Sequence, residues 1–164
     1  MVKFFIATIV GSFILTYLFT PLSIKLSKKW NLVDHPDQRK IHIVPTPIAG
    51  GLSFGIPMIL MQLMIFFIIP ELGSKLLYLA AGSTMMLLLG FLDDKTKITA
   101  NYKLLIQIII ITFIYFSGFK IDLLTNPFGK AFELGYFSFP FTLLWFLLVV
   151  NAFNLIDGLD GLAS

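Results

Sequence analysis

No cysteine occurs in this chain of 164 residues, so disulfide bridges and thiolate-bound metals are excluded and the redox compartment stays unread. Charge is also scarce: Asp, Glu, Lys and Arg make up 13% of the residues, well below the balance of a soluble domain. There is no internal repeat and no low-complexity segment, which leaves one continuous unit without a soluble domain. The two histidines, His35 and His42, lack helical spacing and signal a metal site only weakly. What the chain has instead is apolar surface. Hydrophobic residues make up 57% of it and the mean hydropathy is +0.91, which identifies an integral membrane protein. The expected fold class is all-α, a polytopic transmembrane helix bundle. The net charge of +3 says little, because placement matters more than sum in a membrane. The lipid bilayer is a partner and no nucleic acid is expected.

The apolar runs predict about five spans, at 2–20, 48–70, 76–92, 102–119 and 136–156, in a single transmembrane domain covering 1–164. Each is close to the roughly 20 residues needed to cross about 30 Å of hydrocarbon. Only Lys3 precedes the first run and no small-residue cleavage pattern follows it, so a retained helix is expected and not a removed signal. Gly51, Gly55 and Pro57 suggest a bend early in the second span. Between the fourth and fifth spans, Lys120 to Gly135 reads as a loop with a short hairpin around Asn126-Pro127 and Gly129.

Charge placement sets the expected orientation. Lys25, Lys28, Lys29, Arg39, Lys40, Lys95, Lys97 and Lys103 flank one side, and Lys3, Lys75, Lys120 and Lys130 the other. The positive-inside rule makes the first group cytoplasmic, on loops 25–47 and 93–101, with the amino terminus outside. Asp34, Asp37, Asp93, Asp94, Asp157 and Asp160 fall on the same side, so three separate segments bring acids and bases to one membrane face.

The stretch from Asn151 to Ala163 is the most informative. Asn151, Asn154, Asp157 and Asp160 recur at every third position after an apolar run, on one helical ridge. Carboxylates there must meet water, a cation or a proton. The alternative is a polar helix end fraying into turns at its Asp-Gly pairs. Asp93 and Asp94 close the third span, where the helix dipole already places negative charge, and a divalent cation would offset that repulsion. Magnesium suits oxygen ligands of this kind; a solvated end with Asp94 paired to Lys95 or Lys97 is the competing arrangement. In the first cytoplasmic loop Arg39 can grip a phosphate bidentately, Lys40 adds a compact charge and His42 could serve as acid or base. The same loop could instead touch anionic lipid headgroups. Lys103 and Gln107 share a helical face, and the Lys103 ammonium can snorkel to the interface or turn inward.

Three motifs in order, Asp34-x-Pro36-x-x-Arg39-Lys40-x-His42-x-x-Pro45-x-Pro47-x-x-Gly50-Gly51, Gly90-Phe91-Leu92-Asp93-Asp94 and Asn151-Ala152-x-Asn154-x-x-Asp157-Gly158-x-Asp160-Gly161-Leu162-Ala163, cover essentially the whole chain. Together they make it resemble the polyprenyl-phosphate N-acetylhexosamine-1-phosphate transferases of glycosyltransferase family 4. The Arg-Lys-x-His and Pro-Thr-Pro forms look like the branch that starts O-antigen, common-antigen or teichoic acid carriers more than the peptidoglycan branch. The resemblance implies a multi-pass enzyme of the bacterial cytoplasmic membrane with its active site facing the cytoplasm. Its partners would be undecaprenyl phosphate and a UDP-N-acetylhexosamine, with UMP released, and its cofactor Mg2+, for which Mn2+ could substitute. Carried over residue by residue, Asp93, Asp94, Asp157 and Asp160 are the catalytic positions, with Asp93, Asp94 and Asp157 toward metal. Arg39, Lys40, His42, Lys103, Asn151 and Asn154 are the substrate-binding ones. A homo-oligomer is compatible with this reading.

Members of that family continue past the third motif through further spans bearing a Phe-x-Gly-Asp-x-Gly-Ser-like motif and a histidine-containing loop, so these residues read as an amino-terminal portion. Two rivals stand beside the enzyme: an inactive membrane module that binds polyprenyl phosphate or a partner, and a small cation-conducting bundle. The second would need charges through the span centres, and 76–92 and 108–116 have none.

Overall fold

The computed structural model describes residues 2–30, 33–34, 46–47, 50–69, 73–126, 129 and 131–157. Five helices dominate: α1 (Val2–Lys29), α2 (Gly50–Ile68), α3 (Gly73–Thr96), α4 (Ala100–Phe116) and α5 (Ser138–Asp157). Two antiparallel two-residue ladders accompany them. β1 (Val33–Asp34) pairs with β2 (Thr46–Pro47) after α1, and β3 (Leu123–Leu124) pairs with β4 (Phe132–Glu133) between α4 and α5. The second ladder is the hairpin expected in the 120–135 loop. A 3-10 turn, Gly135–Phe137, leads from it into α5.

The helices form a row in which chain neighbours are also packing partners, α1 on α2, α2 on α3, α3 on α4 and α4 on α5. Paired contacts fix their directions. Tyr78 meets Phe113 while Asp93 meets Lys103, and Tyr115 meets Phe139 while Lys103 meets Asn154, so α3/α4 and α4/α5 are antiparallel. Small residues permit the close approaches. A Cβ on Gly55 would sit 2.7 Å from Leu87 Cδ1, and one on Gly82 would overlap Ile114 Cδ1. On α4 the buried positions Gln107, Ile110, Ile111 and Ile114 follow the spacing of a single helical face turned to the bundle.

Elsewhere large apolar side chains face outward: Phe13 is 71% exposed, Phe67 77% and Leu148 64%. Apolar exposure on this scale has no place in water and fits a hydrocarbon surround. Four helices, Thr8–Lys29, Gly50–Ile68, Gly73–Thr96 and Gly135–Asn154, are long and apolar enough to cross a bilayer. The chain is thus a largely helical bundle of multi-pass membrane type. α4, with 17 residues, is a shorter apolar helix.

The helices outlast several of the expected apolar runs. α1 continues past Thr20, through Pro21, to Lys29, so the expected loop 25–47 begins as helix. Ser23 and Ser27, one turn apart, are buried there, while Lys28 and Lys29 occupy the last turn where the helix dipole favours cations. α3 likewise runs to Thr96, which places Asp93 and Asp94 inside its final turns. Lys97 then adopts a left-handed conformation (φ 51°) and its N–H bonds Asp93 O at 2.8 Å, ending the helix. α4 ends at a Schellman turn. Gly118 (φ 98°) donates to Tyr115 O and Phe119 to Ile114 O.

Candidate functional site

Only Lys97 to Thr99 separate α3 from α4. So short a connection folds the last turn of α3 back against the first turn of α4, and Lys103 faces Asp93 as a result. The Lys103 ammonium lies 2.6 Å from Asp93 Oδ2. It also donates to Asn154 Oδ1 at 3.2 Å, which brings in the carboxyl end of α5. Of the two courses open to Lys103 in the sequence, the structure shows the inward one. Its side chain is 17% exposed and that of Asp93 21%, so both charges are partly withdrawn from water. An ion pair in that setting is strengthened by low dielectric, and removing either partner leaves the other charge uncompensated.

One turn deeper, Gln107 and Asn151 exchange hydrogen bonds. Asn151 Nδ2 donates to Gln107 Oε1 at 3.0 Å and Gln107 Nε2 donates to Asn151 Oδ1 at 3.4 Å. Asn151 Nδ2 also donates to Leu147 O at 2.8 Å within α5. Gln107 was visible in the sequence as the residue one turn after Lys103, but nothing there named Asn151 as its partner.

The end of α1 reaches the same corner. Trp30 packs edge-on against Phe91, ring centres 5.6 Å apart, two residues before Asp93. The β1–β2 ladder then pairs Val33 with Pro47 and Asp34 with Thr46, which ties together the two ends of the segment carrying Arg39, Lys40 and His42. Those three residues and Asp160 lie outside the described residues. Asp157 closes α5 three residues beyond Asn154, with its side chain likewise outside them. Asp94 follows Asp93 on α3 and is exposed.

The structure therefore joins Asp93, Lys103 and Asn154 directly, and Asn151 through Gln107. Among the described residues no three acidic or histidine side chains gather as a metal cluster. The donor chemistry at the corner still fits a hard cation. A carboxylate oxygen and a carboxamide oxygen from different helices converge on one positive charge, and magnesium takes one or two protein oxygens of this type with water and phosphate completing its shell.

Comparison with known proteins points to one family. The model of "Glycosyl transferase family 4" matches residues 76–164. A Bacillus subtilis (strain 168) protein named "Probable undecaprenyl-phosphate N-acetylglucosaminyl 1-phosphate transferase" is 36% identical over all of this chain and 45% of its own length. The Escherichia coli (strain K12) "Undecaprenyl-phosphate alpha-N-acetylglucosaminyl 1-phosphate transferase" is 32% identical over 94% of this chain and 41% of its own. A "Phospho-N-acetylmuramoyl-pentapeptide-transferase" of Caldicellulosiruptor bescii is 32% identical over 97% of this chain and 53% of its own. The chain thus spans about half the length of these curated relatives. No solved structure matches it.

Proposed function

The chain belongs to glycosyl transferase family 4, and on that premise we propose that the protein transfers N-acetylhexosamine-1-phosphate from a UDP-sugar to undecaprenyl phosphate, releasing UMP. The observation that carries this reading is the meeting of Asp93, Lys103 and Asn154, drawn from three helices, at one end of the bundle. Phosphoryl transfer asks the protein mainly for positioning and charge neutralisation, and a lysine flanked by oxygen donors at a membrane boundary offers both.

In this mechanism the Lys103 ammonium binds an oxygen of the donor diphosphate, and Asn154 orients that ammonium from α5. Asp93 would hold magnesium with Asn154, Asp94 and Asp157 nearby. Bound there, the ion would neutralise diphosphate charge and favour departure of UMP. Arg39, Lys40 and His42, on the segment whose ends the β1–β2 ladder ties, take the nucleotide side, and Asp160 supports Asp157. No carboxylate needs to act as a base. A phosphate monoester has its second pKa near about 6, so the lipid nucleophile is already largely dianionic at neutral pH.

The same reading makes α4 a fifth crossing. Its 17 residues rise about 1.5 Å each, and 17 is the lower end of the usual range for a span. The amino terminus is then outside, and Lys28, Lys29, Lys95 and Lys97 line the cytoplasmic face. The full-length protein in membranes, supplied with a UDP-N-acetylhexosamine and undecaprenyl phosphate, is expected to form a lipid-diphosphate sugar and UMP only when magnesium or manganese is added. Binding of the lipid with no UMP released would instead identify an inactive lipid-binding module. Labelling that placed residues 40 and 94 on opposite faces of the membrane would dissolve the shared site.

A further inference from the structure

We propose that Gln107 is a positioning residue: with Asn151 it clamps α4 to α5 so that Lys103 and Asn154 meet in register. The proposal deepens the transfer reading above and rests on it for its catalytic consequence. Three observations converge. Gln107 is 1% exposed, a carboxamide sealed inside an otherwise apolar helix face beside Ile110, Ile111 and Ile114. Its two polar atoms are matched by the two of Asn151 in a reciprocal pair at 3.0 and 3.4 Å. That pair lies next to the Lys103–Asn154 contact: Lys103 stands four residues before Gln107 on α4, and Asn154 three residues after Asn151 on the antiparallel α5.

Two rungs, one turn apart, therefore bridge the same two helices. The deeper rung is built from uncharged groups, Gln107 buried on α4 and Asn151 exposed on α5. The shallower one holds the ammonium that faces the open end. Sliding or rolling α5 against α4 by one residue would strand a buried carboxamide, so the deep rung admits one alignment, as a single polar residue does in an apolar helix seam. The orientation of both amides is set by the bundle: Asn151 Nδ2 must face Leu147 O, and Gln107 then presents Oε1 to the same nitrogen. Interhelical hydrogen bonds within bilayers stabilise bundles only modestly. The contribution of this pair therefore lies in alignment more than in holding the helices together. Leu147 O, by accepting the second N–H of Asn151, keeps that side chain turned toward α4.

The test uses the full-length protein in lipid nanodiscs with spin labels on cysteines introduced by Tyr102→Cys and Phe153→Cys, two exposed positions near the ends of α4 and α5; residues 1–164 hold no other cysteine, and any beyond them is replaced by serine. Gln107→Leu keeps the volume and removes the polar pair. It is expected to broaden the 102–153 distance distribution while leaving the melting temperature nearly unchanged. The double exchange Gln107→Asn with Asn151→Gln preserves a carboxamide on each helix and is expected to narrow the distribution again. The distances are read without turnover, so they decide the clamp even if the wild-type protein transfers no sugar phosphate, a result that would overturn only the transfer reading. In unlabelled protein that is active, Gln107→Leu is expected to lower kcat at least tenfold with KM for the UDP-sugar changed less than threefold, and the double exchange to recover most of the loss. An unchanged distance distribution in Gln107→Leu overturns the proposal. So does a loss of kcat that merely tracks a lower melting temperature, or one that the double exchange leaves unrecovered.

Discussion

The two ends of the α4–α5 pair both carry an ion pair, yet they are built on opposite plans. At the hairpin end Asp122 is satisfied by its own neighbourhood. Lys120 Nζ lies 3.1 Å from Oδ2, Ser138 donates to Oδ1 at 2.8 Å, and the backbone O accepts from Leu134 at 2.9 Å. Thr142, fully buried, accepts from Ile121 N–H at 2.9 Å and fastens the same hairpin to α5. The side chains of that ion pair are 45% and 49% exposed, against 17% and 21% for Lys103 and Asp93. At the opposite end the partners come from three helices, and the Lys103–Asn154 bond joins residues 51 apart in the chain. A network that closes on itself in one hairpin organises a turn. One that draws distant segments around a half-withdrawn charge organises a site.

The contrast is sharpest under charge removal. Lys103→Met in the full-length protein is expected to lower transfer at least about a hundredfold, the usual consequence of deleting a donor that meets developing charge. Lys120→Met should leave the rate within about twofold, since exposed pairs contribute little. Equal losses measured as UMP release would erase the distinction between the ends. A second, smaller effect joins them: Gly82→Leu forces a side chain into Ile114, next to the Tyr78–Phe113 contact at the end of the α3–α4 pair away from Lys103, and overpacking of this kind costs about 1–3 kcal/mol. It should lower the melting temperature and the transfer rate together, because it displaces α4 as a unit.

Ser138→Ala addresses the hairpin end alone. Ser138 is 1% exposed, donates to Asp122 and accepts from Tyr115 at 3.4 Å, so its loss is expected to cost about 1 kcal/mol of thermal stability with transfer unchanged. The smallest effect is on acid stability. The hydrogen bond from Ser138 and then that from Lys120 hold the Asp122 carboxyl below its ordinary value of 3.8. Its ionised form therefore contributes stability above about pH 3.8, and that contribution is lost as pH falls through the lower folded value. Thermal melts taken across that window should show a shallower acid-side decline in Ser138→Ala than in the parent.

Much of this architecture is written in apolar run length, which marks where each of the five helices lies, while turn-forming residues mark the hairpin. Helix ends are less legible. α1 and α3 extend past their apolar stretches because Ser23, Ser27 and Thr96 are compatible with helix and basic side chains suit a carboxyl terminus, none of which registers as hydropathy. Of the site, charge placement brought Asp93 and Lys103 to one face and polar spacing added Asn154, and the three-residue α3–α4 turn supplied the Asp93–Lys103 contact. The Gln107–Asn151 pairing was beyond reach. Periodicity puts Gln107 on the Lys103 face but carries no information about which side chain, 44 residues later, answers it.

The row-like packing of the helices also dictates an order of assembly. Because each helix rests on the one synthesised just before it, every new segment leaving the ribosome finds its companion already in the lipid, and no long-range search is needed. The lysine–aspartate pair can form as soon as the fourth helix arrives, whereas the asparagine that completes it comes only with the fifth. Until then the ammonium is held by one helix partner alone, and a ribosome stalled between these two segments would leave the nascent protein with its cation caught and its pocket still open.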